Sequence, residues 1–148
     1  MTDEQIHLLR RSFDAVEAQA QVAALVFYRK LFALDPKLRP LFKTEIEEQS
    51  RKLIDMLGLA LSLLTRPGAF EAELRELGAR HRSYGVRDEH YGIVGRAMLD
   101  MLAEVLGREF TPAVHDAWAK FYNFTADTMK GSGGVSDVKK VEMLKCET

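Results

Sequence analysis

The sequence predicts an all-α fold, and three observations carry that prediction. Apolar residues recur three or four positions apart through long segments, the period of one helix face. Glycine and proline are scarce inside those segments and cluster between them. No stretch sustains the apolar–polar alternation of a half-buried strand.

With 148 residues the chain makes one domain, large enough to bury a core and a cofactor within it. Lysine and arginine number 21 against 22 acidic residues, a net charge of −1, with no concentrated basic face; nucleic acid is not an expected partner. The single cysteine, Cys146, lies in a polar tail, so neither an internal disulfide nor a cysteine-based zinc site is expected. The N-terminus lacks the cationic start and apolar run of a signal peptide, and the apolar stretches are too short to cross a bilayer. The expectation is a soluble protein of the reducing cytoplasm.

The first helix starts near Thr2 or Asp3, either able to cap it, and carries Ile6, Leu9, Phe13 and Val16 on one face, with His7 off that stripe. The second begins between residues 19 and 22, runs to about Ala33, and turns Ala24, Leu25, Tyr28, Leu31 and Phe32 inward. Asp35-Pro36 breaks it, and a short helical turn over residues 36–42 follows. From about residue 45 to 64 a third helix carries Ile46, Gln49, Leu53, Met56, Leu57, Ala60 and Leu64 on one face. Residues 65–68 end it.

The next segment, residues 70–86, places Phe70, Leu74, Leu77, His81 and Tyr84 on one face and its charges on the other; Gly85 stops it. A helix from about Asp88 to Leu106 buries Tyr91, Val94, Met98, Met101, Leu102 and Val105 and turns His90 outward. Gly107 stops it, and Thr111 caps the last helix with Pro112 in its first turn. That helix turns Val114, Trp118, Phe121, Tyr122, Thr125 and Met129 inward, with His115 offset. Residues 1–130 form the domain, and residues 131–148 read as a flexible glycine-, serine- and charge-rich tail.

Three inward groups interrupt these apolar faces: Tyr28, Gln49 and His81. A buried imidazole satisfied by a backbone carbonyl is one reading of His81, and a metal ligand is the other. Tyr28 is core filler with a bonded hydroxyl, or a donor into an interior site. Gln49 is wet at a helix mouth, or bonds something in the core.

Several anchors together decide what the sequence resembles. They are Phe27-Tyr28 followed by Leu31-Phe32, Pro36 six residues before Phe42, Gln49 a helical turn before Leu53, Arg80-His81 followed by Gly85-Val86 and Tyr91, and Trp118 in the last helix. In this order and spacing they resemble the globin family, specifically single-domain bacterial globins related to the haem domains of flavohaemoglobins, over roughly residues 2–130. The resemblance implies a globin fold, with helices packed around a buried haem pocket and haem b (iron protoporphyrin IX) as cofactor. It makes His81 the proximal iron ligand, its second N–H held by a backbone carbonyl. Phe42 is expected against the porphyrin face, Leu53 and Val86 as apolar walls, and Tyr91 beside the proximal histidine. Lys52 and Arg80 partner the haem propionates or stand as solvated surface charges. On the distal side Tyr28 and Gln49, with Leu53, face the diatomic gases O2, CO and NO.

The departures from the family pattern also carry meaning. Glutamine stands where many globins have a histidine able to ligate iron, so a five-coordinate ferrous haem is expected. The glutamate that flavohaemoglobin-type domains place late in the last helix falls near Gly133, which weakens electron donation by His81 and puts peroxidase-like or fast dioxygenase chemistry in doubt. No flavin or nicotinamide module follows, so reduction is expected from a separate reductase. The expected function is reversible dioxygen binding with high affinity and slow release. The alternative is a nitric oxide dioxygenase yielding nitrate through Tyr28 and Gln49, and a haem-free helical module is a third reading.

Overall fold

A computed structural model describes residues 1–41, 46–83 and 87–131; within these, the side chains of residues 40, 41, 46–49, 67, 82, 83 and 131 lie outside the description. The described residues contain helices and no strands. Helix α1 (Asp3–Glu17) opens on a capping box: Thr2 Oγ1 accepts the Gln5 amide at 3.1 Å and Gln5 Oε1 accepts the Thr2 amide at 3.0 Å. Leu9, Phe13 and Val16 form its buried stripe, as the spacing requires.

Helix α2 (Ala20–Leu34) is apolar around most of its circumference, which hides its inward face from periodicity. Ala24, Tyr28 and Leu31 are buried as expected, but Leu25 is 51% exposed, and Phe27 takes the inward position instead. The reason is packing on two sides: α2 lies against α5 (Asp88–Leu106) and also α3 (Ile46–Ser62), and the outer strip left over holds Val22 and Leu25. Asp35 ends α2 in an extended conformation, and its carboxylate accepts the Lys37 amide at 3.1 Å to start the 3-10 turn Pro36–Leu41. Phe42, expected to end that turn, lies outside the described residues.

Helix α3 ends at Ser62, and α4 (Pro67–Ser83) begins earlier than expected, with Pro67 in its first turn. Residues 65–68 are therefore as much a start as a stop. A first-turn proline gives up only an amide that has no intrahelical partner there, and the Phe70 amide already reaches the Arg66 carbonyl at 2.9 Å. Gly107 closes α5 with φ +57°, a conformation open to glycine at little cost. Thr111 Oγ1 then accepts the Val114 amide at 3.3 Å and caps α6 (Pro112–Gly131).

Against α1, α6 is held by a buried polar pair. Trp118 Nε1 donates to Ser12 Oγ at 2.8 Å, and that hydroxyl donates to the Leu8 carbonyl at 2.7 Å. On the far side α6 packs against α4, which sets His81 facing the inner surfaces of α3, α5 and α6. Among the described residues no helix is long and apolar enough to cross a membrane. Of the expected tail, residues 131–148, Gly131 ends α6 and residues 132–148 lie outside the described residues.

Candidate functional site

His81 sits near the C-terminal end of α4 and is 1% exposed. Its Nδ1 lies 2.8 Å from the carbonyl oxygen of Leu77, one turn back. A carbonyl can only accept, so Nδ1 carries the proton and the basic lone pair belongs to Nε2. The carbonyl partner that the core reading of His81 requires is thus present; what it does not account for is the space beside the ring.

That space is a chamber of about 70 Å³ walled by all four central helices: Leu53, Met56, Leu57 and Ala60 of α3; Leu74, Leu77 and His81 of α4; Tyr91, Val94 and Met98 of α5; and Phe121, Tyr122, Thr125, Ala126 and Met129 of α6. Met56, Ala60, Leu74 and Leu77 also wall a cleft of about 320 Å³ between α3 and α4. The cleft volume alone reaches the lower end of small-molecule sites, roughly 300–1,000 Å³. Lys52, Asp55, Glu73 and Arg80 bring charge to the cleft, while the chamber behind it is almost wholly apolar.

Lys52 is half-buried and Arg80 exposed, its guanidinium 3.9 Å from Glu76. Leu53 is buried and joins His81 in the chamber wall. Tyr91 is buried beside them, its main-chain oxygen accepting the Tyr122 hydroxyl at 2.7 Å and its ring 6.0 Å from the Lys130 ammonium. Burial, with Tyr91 as neighbour, pushes the Tyr122 pKa up, so its phenol stays a donor. Tyr28 is 2% exposed, its ring edge-on to Phe27 at 5.2 Å and stacked on Phe32 at 6.1 Å. Gln49 lies on the first turn of α3, four residues before Leu53, with its side chain outside the description; Phe42 and Val86 lie outside the described residues.

The α6 wall carries a feature the sequence reading did not assign to a site. Thr125 Oγ1 is buried with no hydrogen-bond partner among the described residues, and Thr125 lines the chamber. Its place on the inward stripe of the last helix was the available signal. His90, expected to face out, is half-buried: its Nδ1 accepts the Arg87 amide at 2.9 Å and caps α5.

Residues 25–129 match the family model described as Globin. The chain is a globin. This globin is 31% identical over 134 residues to the flavohemoprotein of Deinococcus radiodurans, covering 88% of the chain and 33% of that protein. With the Rhizobium meliloti flavohemoprotein it is 32% identical over 134 residues, covering 84% and 33%. The chain thus spans about a third of the length of these curated relatives. Among solved structures, an engineered carbene transferase from Rhodothermus marinus superposes with a TM-score of 0.76 at 28% identity, covering 88% of this chain and 91% of the other. A bacterial globin from Campylobacter jejuni gives 0.77 at 23% identity, covering 90% and 96%, and supports the fold.

Globins are haem proteins, and the residues present fit that group. Among the described residues no three His, Cys, Asp or Glu side chains gather to hold a bare metal ion. A lone imidazole can instead complete the coordination of an iron already held in a macrocycle. The tautomer fixed at His81 puts the basic lone pair on Nε2, and the apolar lining that the chamber shares with the adjoining cleft of about 320 Å³ suits a mostly apolar guest.

Proposed function

We propose that this globin binds haem b through His81 Nε2 and takes up dioxygen reversibly, with high affinity, at a five-coordinate ferrous iron. The observation that carries the proposal is the buried His81 imidazole, bonded through Nδ1 to Leu77 and set in an apolar chamber. When bound, haem would supply an iron able to take up a diatomic gas.

The chain's own residues do the rest. The Leu77 carbonyl orients the imidazole and raises its basicity. Leu53, Leu57, Val94 and Met98 keep water from the centre, which slows oxidation. Tyr28 supplies an O–H and Gln49 an N–H to dioxygen, whose outer atom takes on partial negative charge in a low-dielectric pocket. Lys52 and Arg80, lining the cleft, take the propionates.

Titration of purified protein with haemin tests this reading. The parent should develop an intense Soret band and a five-coordinate ferrous spectrum; a His81→Leu variant that binds haemin equally tightly with the same spectrum ends it.

A second reading is supported by the flavohemoprotein relatives and by the provisional nitric oxide dioxygenase assignment of the Rhodothermus marinus neighbour's parent protein. In it, NO and O2 combine to nitrate with one electron from a separate reductase, and Tyr28 and Gln49 hold the dioxygen. Sustained nitrate formation with a reductase supports it; a single stoichiometric burst supports the carrier.

A further inference from the structure

Tyr28 is the proposed distal donor whose side chain is described, and its ring is in contact with Phe27 and Phe32 of its own helix. Phe32 lies four residues further along α2, so the two side chains share a face. Their rings are stacked, with centroids 6.1 Å apart and planes 24° from parallel. Over the Phe32 ring sits the Arg39 guanidinium, its Cζ 5.3 Å from the centroid. We infer that this column of contacts, guanidinium on phenyl and phenyl on phenol, positions the Tyr28 hydroxyl, which makes Phe32 and Arg39 positioning residues for gas binding. The inference rests on the distal role proposed for Tyr28.

The placement of Arg39 is set by local structure. Asp35 stops α2, its carboxylate accepts the Lys37 amide at 3.1 Å, and its carbonyl accepts the Leu38 amide at 3.1 Å. Leu38 is then buried, which anchors the 3-10 turn and leaves the next residue, Arg39, at the surface above the half-buried Phe32. Cation and ring attract, as do offset rings, so each contact limits sliding of the ring it touches. Edge-on contact with Phe27, at 5.2 Å and 73°, restrains the phenol from a second direction. A hydroxyl at the end of a ring moves with every rotation of that ring, so its aim is only as sharp as those walls.

The test reads the ring first and gas binding second. Tyr28 ring signals are assigned in NMR spectra of the purified protein by their loss in Tyr28→Phe, and ring-flip rates are measured in parent, Phe32→Leu, Phe32→Tyr and Arg39→Met. Leucine keeps apolar bulk without a flat face; methionine keeps chain length without the cation. Flipping should quicken about three- to tenfold in Phe32→Leu and about two- to fivefold in Arg39→Met, and stay near parental in Phe32→Tyr. In Phe32→Leu the C–O stretching band of the carbon monoxide complex should broaden, and oxygen dissociation should move part of the way toward that of Tyr28→Phe. Unchanged flip rates in both Phe32→Leu and Arg39→Met overturn the inference. So does faster flipping with a parental band and rate, when Tyr28→Phe moves both. If Tyr28→Phe itself moves neither, the distal role of Tyr28 falls instead, while faster flipping still upholds the column as what fixes the ring. Arg39 is exposed, so its variant carries the test if Phe32→Leu does not fold.

Discussion

The Tyr122 hydroxyl on α6 donates to the main-chain oxygen of Tyr91 on α5 at 2.7 Å, joining two walls of the chamber that holds His81. The Tyr122 ring reaches that position by lying on Gly95, where a Cβ would come within 2.6 Å of ring carbon Cε2. Glycine is therefore needed there for close approach. Gly95→Ala gains up to about 1 kcal/mol of helix propensity but forces the ring aside at about 1–3 kcal/mol, so it should destabilise. Tyr122→Phe should lose about 1 kcal/mol. Urea unfolding should show the two coupled, with the alanine penalty largely gone when Tyr122 is replaced by leucine.

Removing the Ser12 hydroxyl strands a donor. Trp118 Nε1 is buried against it, and Ser12→Ala should cost about 1–3 kcal/mol, the penalty of an unpaired buried N–H. A changed tryptophan emission maximum and a lower urea midpoint are the expected signs. Equal stability of parent and variant would mean that the Trp118 bond contributes nothing net.

Much of this architecture was legible in the sequence, and the gaps have physical causes. Breaks at Asp35, Gly107 and Thr111 were readable because proline, glycine and capping side chains act locally. Leu25 was misplaced because a helix apolar on most sides, packed against two neighbours, leaves no polar stripe to mark its outer face. Pro67 was misread because proline both stops and starts helices. At the site, burial of Tyr28 and His81 on inward faces followed from spacing; a backbone carbonyl for the second His81 nitrogen was implied by the family resemblance, and the structure identifies it as that of Leu77. The Arg39–Phe32 contact depends on how the chain turns after Asp35, which no periodicity encodes.

His90 should make stability depend on pH. Burial chiefly, with Arg87 in the same direction and Glu89 and Asp35 opposing, holds its pKa below the usual 6.5. Its Nδ1 must also stay unprotonated to accept the Arg87 amide. Well above pH 6.5 the ring is neutral in both folded and unfolded chains, and its titration has no effect. As pH falls below 6.5 the unfolded chain takes up the proton first, so stability declines until the folded-state pKa is passed. His90→Gln keeps an acceptor at this capping position without titrating. Urea midpoints of the variant should depend less on pH than those of the parent between pH 7 and 5; equal slopes would remove His90 from the account.

Tyr28→Phe separates gas chemistry from folding. Phenylalanine fills nearly the same volume, so the edge contact with Phe27 and the stack on Phe32 survive, and stability should change little. On the distal role proposed for Tyr28, what is lost is the hydroxyl that would donate to the gas. A hydrogen bond of about 1 kcal/mol corresponds to roughly fivefold in rate, so oxygen dissociation should quicken about fivefold or more. Carbon monoxide draws less charge onto its outer atom, so its dissociation should respond less, and the ratio of the two effects is the diagnostic quantity. Stopped-flow displacement of each gas measures it. Equal acceleration for both would point to a widened pocket rather than a missing donor, and no change in oxygen dissociation would remove Tyr28 from the distal site.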